Sequence, residues 1–298
     1  MSNESLQPSI PPNNPVDPSI VRVLRTLDPV AREADCAYFV AGATARDLIL
    51  VNIHGLRPGR ATRDIDFGIA VENWDRFELL KERLVATGVF TSDRRALQRL
   101  TYSDQAAGFS MPVDLIPFRG VTTAGETIEW PPSRDIVMNV AGFEDALASS
   151  IPIQIEQNLT VRVASIPGLM ILKLVAWSDR GRETDKDAAD IYRFLTAYAD
   201  AGNTDRLYEH EMDLLEAVGF DMQLAGAELL GRDVAALCSP SGLALIRSVL
   251  EAEATVERLV NHMVRTSDHR RGCVICPADA DSFSPRSSEE SVTKAGSR

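Results

Sequence analysis

The sequence predicts an α+β protein: a mixed sheet with helices, followed by an all-helical C-terminal domain. Three observations carry this. Before about residue 165, apolar runs of period two alternate with helical stripes, whereas after Pro167 the helical period runs alone. At 298 residues the chain is also long enough for two cores. The expected organisation is a first domain over 18–165 and a helical domain over 166–265. Pro-, Asn- and Ser-rich tails at 1–17 and 266–298 bury too little apolar surface to offset the entropy of ordering, and both are expected to be disordered.

Taken in order, "VRVLRTLDPVAREA" reads as an opening helix, "CAYFVAG" as a short apolar strand, and "ATARDLILVNIHG" as a helix closed by Gly55. A strand at "TRDIDFGIA" follows, then a helix at "ENWDRFELLKERLVATG", whose Trp74, Phe77, Leu79, Leu80 and Leu84 form a stripe ending at Gly88. "ALQRLTYSD" and "GFSMPVDLIPF" pair around a loop at Gln105–Ala107, and "IPIQIEQ" and "LTVRVAS" flank a turn at Asn158. The helical half comprises "GLMILKLVAWSDR", "DAADIYRFLTAYADAG", "NTDRLYEHEMDLLEAVG", "MQLAGAELLGRDVAALC" and "SGLALIRSVLEAEATVERLVNHMV". No internal repeat is visible.

Apolar content of 45% and charged content of 25% are those of an ordinary globular protein. A net charge of -12 excludes a protein whose whole surface coats nucleic acid. It leaves room for a local basic patch, and "RGRETDK" and "RTSDHRRG" stand out, although exposed loops account for both equally well. No stretch has the length of a membrane span and the polar N-terminus has no apolar signal core, so the expected compartment is the cytoplasm. Cys36, Cys238, Cys273 and Cys276 are too scattered for a disulfide framework. Cys273 and Cys276 form a C-x-x-C near His269; zinc needs four ligands and no second pair exists, so the alternative is two free thiols.

The chemistry gathers around "TRDIDFGIA". In a strand, Ile65, Phe67 and Ile69 share one face while Asp64 and Asp66 share the other. Neighbouring carboxylates repel and take up a proton unless a cation is supplied. Arg63 points to the opposite face, which leaves Arg46 or a metal ion; hard Mg²⁺ takes one or two carboxylates together with substrate phosphates. Upstream, "FVAGATARD" puts Gly42 at a strand-to-helix junction, where it either makes the turn or lets backbone amides approach an anion. Downstream, "VDLIPF" places Asp114 among apolar neighbours, a costly position unless it joins the same cation site. Three carboxylates converging on two Mg²⁺ ions fit in-line nucleotidyl transfer, with Asp114 nearest the incoming hydroxyl as ligand and proton acceptor.

Over residues 36–118 this arrangement resembles the nucleotidyltransferase superfamily of DNA polymerase β. The resemblance implies the polymerase β-like mixed sheet, an NTP substrate, and Asp64, Asp66 and Asp114 as ligands of two Mg²⁺ ions. The family has Gly-Ser or Gly-Gly where this chain has Gly42-Ala43, and Thr44 offers the missing hydroxyl. "LMILKLVAWSDRGRETDKDAADIYRFL" resembles the helical signature of AbiEii-type toxin nucleotidyltransferases. That implies Lys173 on the nucleotide phosphates, Arg180 on the same helix face, Asp187 near the active site and Asp190 in support. Alternatively Lys173 lies along a core helix, and Asp187 and Asp190 favour a helix N-terminus. The nucleotide would then be bound by Gly42, Ala43, Thr44, Arg46, Lys173 and Arg180. The toxin branch implies tRNA as the hydroxyl acceptor and an antitoxin as protein partner.

"GATARDLIL" is also similar to the G-G-x-x-R-D of CCA-adding enzymes, through Arg46 and Asp47, but "RRALQRLTYSD" lacks the acid and aromatic of their next motif. An aminoglycoside-modifying nucleotidyltransferase would suit the acidic charge. A module of the same fold that binds nucleotide without turnover is the alternative outside catalysis.

Overall fold

The structure, a computed structural model, describes residues 8–272 with the exception of 62, 94, 95 and 182. The Asp17 carboxylate accepts from the Ser19 amide at 2.7 Å and Pro18 occupies the first turn, so helix α1 spans Pro18–Glu33. Strand β1 (Ala37–Ala41) passes directly into α2 (Gly42–Asp47), which continues as a π-helical segment, Leu48–Ile53. Gly55, at φ +67°, ends it. Next come β2 (Ile65–Val71) and α3 (Trp74–Ala86), which starts where the Asn73 side chain accepts from the Arg76 amide at 3.0 Å. Strands β3 (Phe90–Ser92), β4 (Arg99–Asp104) and β5 (Phe109–Arg119) follow. A small hairpin, β6 (Thr127–Glu129) and β7 (Val137–Asn139), leads to α4 (Phe143–Ala148), β8 (Ile151–Glu156) and β9 (Leu159–Val163).

Seven strands form one mixed sheet in the order β3-β4-β5-β2-β1-β9-β8. The chain therefore places β2 centrally, antiparallel to β1 and parallel to β5. Ile65, Phe67 and Ile69 are fully buried, as the alternation of the strand requires. In this register Asp66 stands opposite both Ala41 and Asp114.

The remainder is helical: α5 (Ile166–Arg180), α6 (Lys186–Ala197) with a π-helical segment at Ala199–Asn203, α7 (Thr204–Glu209), α8 (Met212–Ala217), α9 (Met222–Leu237), α10 (Pro240–Leu250) and α11 (Glu253–Gly272). Sheet and helices share one apolar core, from Leu24 and Phe67 through Leu169 and Trp177 to Leu259. Among the described residues no helix is long and apolar enough to cross a membrane.

Several elements differ from the sequence expectation. "NTDRLYEHEMDLLEAVG" breaks into α7 and α8 because Glu211 leaves helical geometry where Arg206 pins it, at 3.2 Å, together with Asp233 of α9 at 2.8 Å. "SGLALIRSVLEAEATVERLVNHMV" likewise divides into α10 and α11 around Glu251. Strands β3, β6 and β7 have three residues each, too short to show an alternation. Residues 8–17, assigned by composition to a tail, run beside β8: Ile10 donates to the Gln154 carbonyl at 3.1 Å, and Val16 joins the core. Cys36 and Cys238 are free thiols, while Cys273 and Cys276 lie outside the described residues.

Candidate active site

The strand-to-helix corner places the first group. β1 ends at Ala41 and Gly42 turns the chain at φ +62°. A Cβ on Gly42 would fall 1.9 Å from Asp66 Oδ2, so only glycine lets the carboxylate lie against the corner. The corner thus both makes the turn and admits Asp66. Behind it, Ala43 and Thr44 are buried, and the Thr44 hydroxyl donates to the Asp64 carbonyl at 3.3 Å. Thr44 ties the corner to the entry of β2.

Asp66 and Asp114, side by side across β2 and β5, both line a cleft of about 390 Å³. Among the described residues no hydrogen bond or ion pair reaches the Asp66 carboxylate. Burial first, then the neighbouring Asp64, pushes its pKa up to about 6, although Lys173 draws it down. Asp114 is engaged differently: Arg99, its cross-strand partner on β4, grips both carboxylate oxygens at 2.8 and 2.7 Å. That fork raises the Arg99 pKa. Arg99 was not singled out in the sequence; its signal was an arginine in register with an acid on the adjacent strand.

The opposite wall comes from α5. Lys173 and Arg180 both line the cleft and are seven residues apart, hence on one face. Behind them stands α6. Lys173 Nζ lies 3.0 Å from Asp187 Oδ1 and 2.8 Å from Asp190 Oδ2, and Arg180 forks onto Asp187. Asp190 is also paired with the fully buried Arg46, which in turn holds Asp47 at 2.8 Å and the Arg60 carbonyl at 2.9 Å. Burial would raise the pKa of Asp187 and Asp190, but Arg180 and Lys173 for the first, and Lys173 and Arg46 for the second, outweigh it and hold both low. For Lys173, Asp190 and Asp187 likewise outweigh burial and raise the pKa.

Gly42, Asp66, Asp114, Lys173 and Arg180 therefore meet in one cleft, while Ala43, Thr44, Arg46, Asp187 and Asp190 support it from behind. Asp64 adjoins Asp66 at the start of β2. Among the described residues no group of three or more His, Cys, Asp or Glu side chains is arranged to hold a metal ion. The donor chemistry nonetheless suits a hard cation: oxygen-only ligands, one of them half-buried and, among the described residues, unpaired.

The rest of the cleft is lined largely by apolar side chains, including Ile116, Val137, Met138, Phe143 and Leu172. With Gln98, Asn139 and Asp179 also in the lining, it sets apolar surface beside a charged end, a common plan for ligands with an apolar body and a polar handle.

The profile of the family described as "Nucleotidyl transferase AbiEii toxin, Type IV TA system" matches residues 22–238, which spans the sheet, the cleft and most of the helical half. The chain belongs to the AbiEii nucleotidyl transferase family. With it comes membership of the polymerase β-like nucleotidyltransferase superfamily. No curated protein matches the chain. Solved structures similar to this AbiEii-family chain include the antibiotic-resistance factor ANT(2'')-Ia in solution, at 12% identity over 74% of this chain and 96% of that one, with a TM-score of 0.34. A nucleotidyltransferase-like protein from Paracoccidioides brasiliensis has 15% identity over 69% and 91%, with a TM-score of 0.41. A CCA-adding enzyme in complex with ATP has 16% identity over 74% and 52%, with a TM-score of 0.24. At these TM-scores none of the three bears on the chemistry.

Proposed function

We propose that the protein is a Mg²⁺-dependent nucleotidyltransferase of the cytoplasm, moving NMP from an NTP to a hydroxyl acceptor in an AbiEii-like toxin role. The observation that carries this is the half-buried Asp66, with no hydrogen bond or ion pair among the described residues, beside Asp114 and facing Lys173 and Arg180 across one cleft. The acceptor oxygen bonds to the α-phosphorus, the bond to the pyrophosphate oxygen breaks, and the hydroxyl proton passes to the carboxylate end of the cleft. Asp66, with Asp64 and Asp114, would hold Mg²⁺, which supplies positive charge to the phosphate oxygens when bound. Lys173 and Arg180 orient the triphosphate, and Asp187 fixes both cations so that they need no reorganisation during transfer. Arg46 and Asp190 position this lattice from beneath. We take an antitoxin as the protein partner on the family description, and tRNA as the acceptor on the resemblance to the toxin branch.

The test is incubation with labelled NTPs, Mg²⁺ and total tRNA. Label should move to an acceptor with release of pyrophosphate, and Asp64→Ala or Asp66→Ala should abolish transfer while the circular dichroism spectrum stays unchanged. No transfer by the wild type to any acceptor would overturn the catalytic reading. A second reading, a nucleotide-binding module without turnover, is favoured by the Arg99 fork on Asp114. Calorimetry separates the two: Mg²⁺-dependent NTP binding without pyrophosphate release belongs to the module.

A further inference from the structure

The segment joining the π-helical turn to β2, residues 54–64, carries three arginines against a single acid, Asp64 at its end. Residues 48–63 contain no Asp or Glu, in a chain whose net charge is -12. Arg57, Arg60 and Arg63 are all exposed, and among the described residues none of them forms an ion pair. Several other surface arginines are paired, Arg22 with Asp104 at 2.8 Å, Arg25 with Glu156 at 2.6 Å, Arg119 with Glu144 at 2.9 Å and Arg232 with Asp213 at 3.0 Å, whereas the exposed Arg83, Arg134, Arg162 and Arg247 form no ion pair among the described residues but are not clustered in sequence.

The segment is also held in place by its backbone, which leaves its side chains uncommitted. Arg46 donates to the Arg60 carbonyl at 2.9 Å, and Arg193 of α6 donates to the Arg57 carbonyl. Through Arg46, Asp190 and Lys173 this anchoring is continuous with the wall of the cleft, and Arg63 immediately precedes Asp64. The three arginines therefore recur at every third residue along the stretch of chain that leads into Asp64.

We propose that Arg57, Arg60 and Arg63 form the docking surface for the phosphate backbone of an RNA acceptor, leading its reacting end toward Asp66. The proposal rests on the nucleotidyltransferase reading and names the acceptor's contact. Arginine forks match phosphate oxygens, and backbone contacts position a strand without reading its sequence. A protein partner fits less well. The core of a protein interface is depleted in charge and needs aromatic or aliphatic anchors, and none of the exposed large apolar side chains falls within residues 48–63.

The test is fluorescence anisotropy of labelled bulk tRNA with the full chain over a range of KCl concentrations. Three phosphate contacts to a single strand contribute about 2 to the slope of log K against log salt, at about 0.7 each. The triple variant Arg57→Ala/Arg60→Ala/Arg63→Ala should lose that contribution and bind roughly tenfold more weakly in low salt. Its Mg²⁺-dependent NTP binding should match that of the wild type. A triple lysine variant should keep the slope and checks that any loss is of charge rather than of fold. Unchanged tRNA affinity in the alanine variant overturns the proposal, as does absence of tRNA binding by the wild type. Competition by polyglutamate as effective as by RNA of equal charge also overturns it, in favour of an acidic polypeptide. An Asp66→Ala protein that binds tRNA normally but transfers nothing keeps docking and catalysis apart. Loop-dependent binding with no transfer by the wild type sinks only the catalytic reading.

Discussion

Asp66 on β2, half-buried in the cleft, and Asp190 on α6, buried behind it, have environments that differ in sign. Asp190 sits between Lys173 and Arg46 with its pKa held down, so its charge is satisfied within the fold. Asp66 has Gly42 against one oxygen and Asp64 and Asp114 nearby, with its pKa pushed up to about 6. Burial alone does not mark a functional acid. What separates the two is whether the fold supplies the counter-charge, and at Asp66 that is left to a ligand.

The largest effect expected from this contrast lies at the satisfied end. Removing Asp190 leaves the fully buried Arg46 with only the half-buried Asp47 as a counter-charge and takes one of two partners from Lys173. Truncating one member of a buried ion pair costs about 3–5 kcal/mol. Asp190→Ala should therefore unfold at markedly lower urea than the wild type, and a shift within error would show that the lattice is not structural.

At the unsatisfied end the sign reverses. Above pH 6 the folded protein carries a charged Asp66 that the unfolded chain would ionise more readily. As pH falls from about 6 towards 4, the folded state takes up the proton first, so this site's penalty is relieved and its contribution to stability rises. Asp187 and Asp190, held low, contribute stability above the ordinary carboxylate range and lose it as pH falls below about 4. Asp66→Asn should thus stabilise the protein by up to about 3 kcal/mol at pH 8 and by little at pH 4. Urea melts at the two pH values check this, and an equal effect at both would remove the electrostatic account of Asp66.

The same contrast explains what the sequence discloses. Asp64 and Asp66 stand out because a carboxylate breaks an apolar alternation, and Lys173 and Arg180 because seven residues return to one helix face. The mixed sheet followed by helices was legible for the same reason, since both periods are local. Arg99 was not legible, because its partner is set by the β4–β5 register. Arg46 looked like a ligand for phosphate or for Asp66, but the packing of α6 puts Asp190 on it instead. The hairpin β6–β7, which brings Val137 and Met138 to the cleft, is too short to leave a periodic trace.

Arg99 offers the finest test because it makes Asp114 intermediate between the two cases. Its fork satisfies Asp114, but from a half-exposed side chain: 34% of Arg99 is accessible against 12% of Asp114. Such a pair contributes about 1 kcal/mol or less, since water screens it. It is therefore a counter-charge weak enough to be exchanged, unlike the Lys173 and Arg46 lattice. Arg99→Gln should leave the urea midpoint almost unchanged while releasing Asp114 to act with Asp66. Mn²⁺ titrated into the protein without nucleotide, and followed by electron paramagnetic resonance, should then bind several times more tightly than in the wild type. Equal affinity in the two proteins would mean that Asp114 does not share a cation with Asp66, and the resemblance between the two carboxylates would end at their register.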